Sequence, residues 1–363
     1  MYNKKSIFEE SEKSRYKQNL LSSKYLNHDK GFGPYIYNMG KPDQKTLNPP
    51  FILINGFNNL YPAIREDAIK YYDYNSIKWW SLKGCNEDGT NPPTHVLSSQ
   101  VCCINHLFPT RQDYDAVLDI AKAIDPDFTE VCLLENDKQD TCGYISFEVV
   151  GKKNHLNEKS NNRGEFCTSI DALILGIRND KRTMIVIEWK YTESYEEKDL
   201  SKEDCPGETI DSLGKGYIRL RRYSDLIRKS SQIDHYEGKE LRGSLYFFEP
   251  FYQLMRQTLW AEQMVLHNST EHFQAEDYIH VHVVPADNKD LLDTSYPQPG
   301  GTMEDTWRSV LKDQSKYKII DPKSLFSLID KKYESLVDYL ANRYWNRIQQ
   351  HRSNQPFTYM NIL

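Results

Sequence analysis

Residues 169–191 read SIDALILGIRNDKRTMIVIEWKY, and this stretch decides the fold. Two runs of aliphatic and β-branched residues flank Asn179 and Asp180. Because Asn and Asp tolerate left-handed backbone angles better than other non-glycine residues, the pattern predicts a β-hairpin with a tight turn at these two positions. In that register Arg178 opposes Lys181, and the numbers of all opposed residues add to 359.

This register brings three charged side chains to one face of the hairpin. Asp171 opposes Glu188, and directly opposed side chains lie on the same face with their Cβ atoms about 5 Å apart. Lys190 shares that face because strand side chains alternate. Two opposed carboxylates are destabilising unless a cation lies between them, so the pattern favours a functional site in an otherwise apolar hairpin. The alternative is a solvated charge cluster on a sheet face.

The flanking sequence predicts further strands and helices around this hairpin. We expect strands at 131–134, 144–150, 169–177, 183–191 and 278–284, and helices at 61–75, 98–108, 113–124, 214–230, 250–267 and 322–349. Ser98 or Ser99 is the expected cap of the second helix. Residues 1–60 are polar and turn-rich, and 287–305 are expected to form a loop. His280 and His282 are interpreted as half-exposed strand positions rather than a metal-binding pair.

The length of 363 residues predicts about two structural units. Hydrophobic residues make up 39% of the chain and charged residues 27%, which excludes wholesale disorder. We expect a partly helical N-terminal extension at 1–95, a core at 96–290, and a C-terminal helical extension at 291–363 that packs on the core.

Asp171 followed by the Glu188-Trp-Lys190 triplet resembles the PD-(D/E)xK, or restriction-endonuclease-like, nuclease superfamily. The resemblance covers roughly residues 98 to 285, and Ile170 stands where the superfamily name has proline. It implies an α/β (mixed α+β) fold with an αβββαβ core, in which helices flank a central mixed sheet. The order of the predicted elements fits this core. Within the superfamily the chain looks most like uncharacterised bacterial proteins that are classed as restriction endonucleases.

The resemblance implies a role for each residue of the motif. Asp171 and Glu188 would bind Mg²⁺, for which Mn²⁺ can substitute, and Lys190 would orient or deprotonate the attacking water. Magnesium prefers oxygen ligands and is commonly held by one or two carboxylates with water and phosphate. When bound it stabilises phosphoryl charge and lowers the pKa of its water.

Other acidic residues near the motif are weighed as further metal ligands. Glu148 on the first core strand is expected to add a ligand, the alternative being an exposed strand glutamate. Glu165 is a weaker candidate. Glu193 lies three residues beyond Lys190 and would face the opposite side of a continuing strand, so it is left out.

Two helices compete as the nucleic-acid-binding element. Arg219 and Tyr223 resemble the Arg/Gln-x-x-x-Tyr helix of some superfamily nucleases and share a helix face, where Arg can hold a phosphate with two hydrogen bonds. The alternative is a solvated amphipathic helix. The rival helix carries a polar stripe that could equally face the active site or only the neighbouring domain, consisting of Gln253, Arg256, Gln257 and Trp260.

Composition limits the cellular context and the partners. The formal net charge of −6 neither requires nor excludes nucleic acid. The longest apolar runs are far shorter than the roughly 20 residues of a membrane span, so no membrane partner is expected. A charged N-terminus without a signal-peptide pattern favours the cytoplasm. Seven cysteines without a Cys-x-x-Cys motif favour neither a disulfide framework nor a zinc site.

The leading hypothesis is therefore a magnesium-dependent DNA endonuclease that acts in restriction or defence. The alternative is a catalytically inactive module on the same fold that binds nucleic acid or protein. Since double-strand cutters often act as dimers, a homodimer is expected by analogy.

Overall fold

The structure is a computed structural model that describes residues 6–19, 32–37, 40–80, 89–163, 167–204, 214–235, 239–296 and 301–346. Within these ranges the α-helices are α1 Ile7–Asn19, α2 Arg65–Tyr74, α3 Ser99–Leu107, α4 Tyr114–Ile124, α5 Lys215–Lys229, α6 Phe251–Leu266, α7 Lys289–Leu292, α8 Met303–Arg308 and α9 Glu334–Leu340. The strands are β1 Tyr35–Tyr37, β2 Lys45–Leu47, β3 Phe128–Cys132, β4 Ile145–Val149, β5 Ile170–Arg178, β6 Lys181–Trp189, β7 Asp277–Val283 and β8 Tyr317–Ile320.

The predicted hairpin is present with the predicted register. β5 and β6 pair antiparallel from Arg178–Lys181 to Ala172–Ile187, and the numbers of opposed residues add to 359 throughout. Asn179 and Asp180 have φ angles of 50° and 60°. Two consecutive left-handed residues are the geometry of the tight hairpin turn that matches strand twist.

A mixed sheet of six strands is built around this hairpin. β3 and β4 both pair antiparallel with β5, β3 along its C-terminal half and β4 along its N-terminal half. On the other side β7 is parallel to β6, and β8 is parallel to β7. The architecture is the expected α/β fold, with a central mixed sheet flanked by helices.

Both faces of the sheet are covered, which explains the continuous apolar runs of β5 and β6. Alternate residues point to opposite sides. Ala172, Ile174, Ile185 and Ile187 belong to a core shared with helices α2, α3, α4 and α9. Leu173, Leu175, Met184 and Val186 belong to a second core shared with α5 and α6.

Local sequence signals account for where the helices begin. The Ser98 hydroxyl accepts a hydrogen bond from the Val101 amide at 3.3 Å and caps α3, as expected. Asp113 caps α4 in the same way through the Ala116 amide. The helices at 214–230 and 250–267 are confirmed as α5 and α6. Within the described residues, no helix is long and apolar enough to cross a membrane.

The C-terminal segment departs from the expected long helix over 322–349. Its described part is broken into 3₁₀ turns at Pro322–Phe326 and Lys331–Tyr333, followed by α9 and a π-turn at Ala341–Trp345. Asp321 and Asp330 each accept a hydrogen bond from the amide two residues ahead. These side chains start new short turns in place of one helix.

Several other elements were not predicted. β8 joins the main sheet from within the segment assigned to the C-terminal helical extension, and it follows α8, which begins inside the expected loop. The polar N-terminal region contains α1 and a small β1–β2 hairpin. The domain limits at residues 95 and 290 remain predictions.

Candidate active site

The strand registers align three carboxylates across β4, β5 and β6. Continuing the β5–β6 register by one pair sets Asp171 opposite Glu188. The numbers of opposed residues in β4 and β5 add to 319. This register sets Glu148 opposite Asp171, on the side of β5 away from β6. Glu148 has a φ of 48°, a left-handed conformation that is uncommon for a strand glutamate. Such backbone strain is found most often at functional sites.

Asp171 and Glu148 open onto a cleft of about 850 Å³, and Lys190 also lines it. Asp171 Oδ2 accepts a hydrogen bond from the Trp189 amide at 2.7 Å, which closes the end of the β5–β6 ladder. Glu188 is only 3% exposed and is not among the lining residues. Among its charged groups the cleft therefore presents Asp171, Glu148 and Lys190, with Glu188 behind them.

Glu188 and Lys190 form a buried ion pair. Lys190 Nζ also donates to Gln253 Oε1 at 2.5 Å, and Gln257 Nε2 donates to Glu188. Burial opposes ionisation of Glu188, but the Lys190 ammonium outweighs it and lowers the pKa of this carboxyl. Burial likewise opposes the charge of Lys190, but Glu188 and other anions raise the pKa of the ammonium well above its ordinary value. Both groups are therefore charged at neutral pH.

Asp171 and Glu148 have the opposite electrostatics. Burial and then the Glu188 and Glu148 carboxylates raise the pKa of Asp171 well above its ordinary range. Burial also raises the pKa of Glu148, against hydrogen bonds from Gln100 and Ser169. Lys190 thus compensates Glu188, whereas burial and carboxylate repulsion disfavour the ionised forms of Asp171 and Glu148.

This donor set fits a hard divalent cation. Carboxylate oxygens are preferred ligands of Mg²⁺, and a cation beside Asp171 and Glu148 would relieve the repulsion that raises their pKa values. Within the described ranges, no three His, Cys, Asp or Glu side chains are grouped closely enough to hold an ion by themselves. Magnesium needs only one or two protein carboxylates, because water and phosphate complete its shell.

Comparison with known proteins identifies the family. The family described as restriction endonuclease associating with ARP matches residues 13–345. The chain belongs to this family. The match covers most of the sequence, and the expected restriction-endonuclease-like relationship is confirmed. No curated protein and no solved structure matches the chain.

In this restriction-endonuclease family member, helix α6 supports the site from behind. Gln257 donates to Glu188 and accepts from His280 Nε2 at 2.9 Å, and His280 Nδ1 lies 3.1 Å from the Thr258 hydroxyl. Burial lowers the pKa of His280 to about 4, so the ring is neutral at physiological pH. A neutral ring that donates from Nε2 fixes the orientation of the Gln257 amide, which in turn fixes Glu188.

The two strand histidines are buried, not half-exposed as expected. His280 is 1% exposed and His282 is 0% exposed, because β7 lies between β6 and β8. Burial lowers the pKa of His282 to about 3. Its Nδ1 lies 3.3 Å from the Tyr317 hydroxyl.

The four residues of the α6 polar stripe lie in three different environments. Gln253 and Gln257 face the site, which is one of the two orientations expected for this helix. Arg256 pairs with the buried Glu158 at 3.0 Å, and Trp260 belongs to the second hydrophobic core.

Arg219 and Tyr223 lie outside the cleft. Arg219 pairs with Glu203 at 2.6 Å and donates to the Leu200 carbonyl. Tyr223 is 1% exposed and donates its hydroxyl to Glu158 at 2.6 Å. These contacts attach α5 to the segments that carry Glu203, Leu200 and Glu158. A nucleic-acid role for Arg219 or Tyr223 remains a prediction.

Sequence reasoning passed over two residues of the cleft. Glu193 was left out because a continuing strand would turn it away, but β6 ends at Trp189 and Glu193 lines the cleft. Its carboxylate accepts hydrogen bonds from the Tyr191 amide and the Ser99 hydroxyl. Gln100 donates to Glu148 from the first turn of α3, and no sequence signal marks this contact. Glu165 lies outside the described residues.

Proposed function

We propose that the chain is a nuclease that hydrolyses phosphodiester bonds of DNA with Mg²⁺, for which Mn²⁺ can substitute. The observation that carries the proposal is the alignment of Glu148, Asp171 and Glu188 across three strands, with Glu148, Asp171 and Lys190 lining one cleft. The family supports a restriction endonuclease, for which DNA is the substrate.

Each residue of the alignment has a separate task in this proposal. Asp171 and Glu148 would hold the cation, and Glu188 would add a ligand or act through Lys190. When bound, the cation would stabilise phosphoryl charge and activate water. Gln257 and His280 hold Glu188 in place, since every member of that network is buried.

Lys190 acts as a fixed positive charge. Because Glu188 and neighbouring anions raise its pKa, the ammonium keeps its proton at neutral pH in the metal-free site. It therefore stabilises negative charge on the attacking oxygen or on the phosphoryl group. A charge that acts on the transition state affects the turnover rate more than substrate affinity.

The decisive experiment is plasmid cleavage with magnesium or manganese. Wild type is expected to cut in either metal and to stop cutting in a chelator. Lys190→Ala is expected to lose at least about a hundredfold in rate, by analogy with the loss of one preorganised electrostatic donor. Lys181→Ala is the matched control, because Lys181 is an exposed lysine at the opposite end of the same strand.

The outcomes separate the two functional hypotheses. A wild-type protein that binds DNA but cuts nothing in either metal would be the inactive binding module. Equal cleavage by wild type and Lys190→Ala would remove this lysine from the mechanism. A homodimer also remains a proposal, and sedimentation of the protein with and without DNA tests it.

A further inference from the structure

A large aromatic side chain is exposed at the same cleft as the carboxylates. Trp80 is 52% exposed and lines the cleft together with Asp171, Glu148 and Lys190. Single exposed aromatic residues are ordinary on protein surfaces. Trp80 differs from such residues because of its position and because its backbone is held in place.

The position of Trp80 is coupled to the carboxylates by a single side chain. The Trp80 amide donates to Gln100 Oε1 at 2.7 Å, and Gln100 Nε2 donates to Glu148 Oε1 at 2.8 Å. The two ends of one amide group thus set the distance between the tryptophan backbone and a cleft carboxylate. The backbone that carries the indole is therefore held at a defined distance from one of the proposed metal ligands.

The residue before it anchors the segment to the core. Trp79 is 2% exposed and stacks on the ring of Tyr72 in α2, with ring centroids 3.8 Å apart and planes 10° from parallel. The Trp79 amide also donates to the Gly89 carbonyl at 2.9 Å. Because Trp79 is fixed inside the protein, Trp80 is presented to the cleft on a rigid support.

We propose that Trp80 stacks against an unpaired base next to the phosphate that is cut. This rests on the proposed nuclease function and specifies its substrate. Aromatic side chains stack on bases of any sequence, since every base has a π-face. In a paired duplex both faces of a base are covered by its neighbours. The preferred substrate is therefore DNA that is single-stranded, or locally unpaired, beside the scissile bond.

Binding measurements with substituted proteins test this proposal. Fluorescence anisotropy with Ca²⁺ in place of Mg²⁺ is used to compare three DNAs: a short single strand, the same strand fully paired, and a duplex with one unpaired base. The variants are Trp80→Ala and the conservative Trp80→Phe. Tyr74→Ala is the matched control, because Tyr74 is 51% exposed and lines a separate cleft.

Trp80→Ala is expected to weaken binding of the single strand and of the interrupted duplex about tenfold, the loss of one stacking contact. Trp80→Phe should retain most of the affinity, and Tyr74→Ala all of it. Binding of the fully paired duplex should change little. These differences between DNAs are a readout that a general loss of folding would not produce.

Several results would overturn the proposal. Unchanged single-strand binding by Trp80→Ala would do so, as would an equal loss of affinity for the fully paired duplex. If wild type cleaves plasmid while Trp80→Ala behaves like wild type, only the stacking role fails. If wild type neither binds nor cuts any of these DNAs, the stacking role fails together with the proposed nuclease function.

Discussion

Replacement of Lys190 by methionine tests the electrostatic design of the site most directly. Lys190 and Glu188 form an ion pair in which the side chains are 9% and 4% exposed. Lys190→Met keeps a long unbranched side chain but removes its charge. Glu188 is then left in a buried position with the Gln257 amide as its hydrogen-bond donor.

The expected cost follows from burial. Removing one partner of a buried ion pair destabilises a protein by about 3–5 kcal/mol, whereas an exposed pair contributes about 0–1 kcal/mol. Since both side chains are less than a tenth exposed, the first range applies. We therefore expect the free energy of unfolding at pH 7 to fall by about 3 kcal/mol or more.

The sign of the pH dependence is a sharper test. In wild type the pKa of Glu188 is below its ordinary value of 4.5, so its contribution to stability is present above that pH and lost on acidification. Without Lys190, burial and the neighbouring Asp171 should raise this pKa, and stability is then lost as the pH rises above 4.5. The stability difference between the two proteins should therefore shrink as the pH falls from 7 toward 4.5. Loss of the Lys190 charge should also raise the pKa of Asp171 further, and this change has the same sign.

Denaturant unfolding at pH 7 and pH 5 measures the difference, with Lys181→Met as the control for loss of a lysine from the same strand. Plasmid cleavage by the same proteins measures the catalytic effect, which should reach about a hundredfold or more. A stability difference that is the same at both pH values would refute the assigned electrostatics. Wild-type cleavage by Lys190→Met would refute the catalytic role.

Three further predictions follow from the site and the hairpin. Asp171→Asn should weaken Mg²⁺ or Mn²⁺ binding in calorimetry, because a neutral amide removes one of the charges that hold a hard cation, and equal affinities would contradict this. Gln257→Leu should lower the cleavage rate while DNA affinity stays near wild type, because the amide positions Glu188 without lining the cleft; a loss of affinity alone would argue against positioning. Asp180→Gly should stabilise the protein by up to about 1 kcal/mol in denaturant unfolding, because Asp180 has a φ of 60° that glycine adopts without strain. Destabilisation would contradict the assigned geometry of the turn.

The central hairpin was the most predictable part of the fold because its information is local. The turn at Asn179 and Asp180 and the period of two along each run both act over a few residues. Once these are set, the opposition of Asp171 and Glu188 follows without further knowledge of the chain. Glu148 could be suggested as a further acidic residue on the first core strand, but its left-handed φ of 48° departs from regular strand geometry, so only the structure fixes where its carboxylate lies.

The remainder of the site depends on packing between distant segments. Gln253 and Gln257 are 63 and 69 residues away from their partners Lys190 and Glu188. Their position follows from the packing of α6 on the sheet, and its polar stripe was equally compatible with a neighbouring domain. Glu193 was excluded because an assumed strand continued, whereas β6 ends at Trp189.

The sequence by itself determined the hairpin, its register, which sets Asp171 opposite Glu188, and the order of the core elements. These depend on backbone preferences and side-chain alternation, which act between near neighbours in the chain. Only the tertiary structure decided that Glu188 lies behind the cleft, that His280 is a neutral support for Gln257, and that Trp80 lines the same cleft as Asp171 and Glu148. Burial sets these properties, and the burial of a side chain depends on how the whole core packs around it.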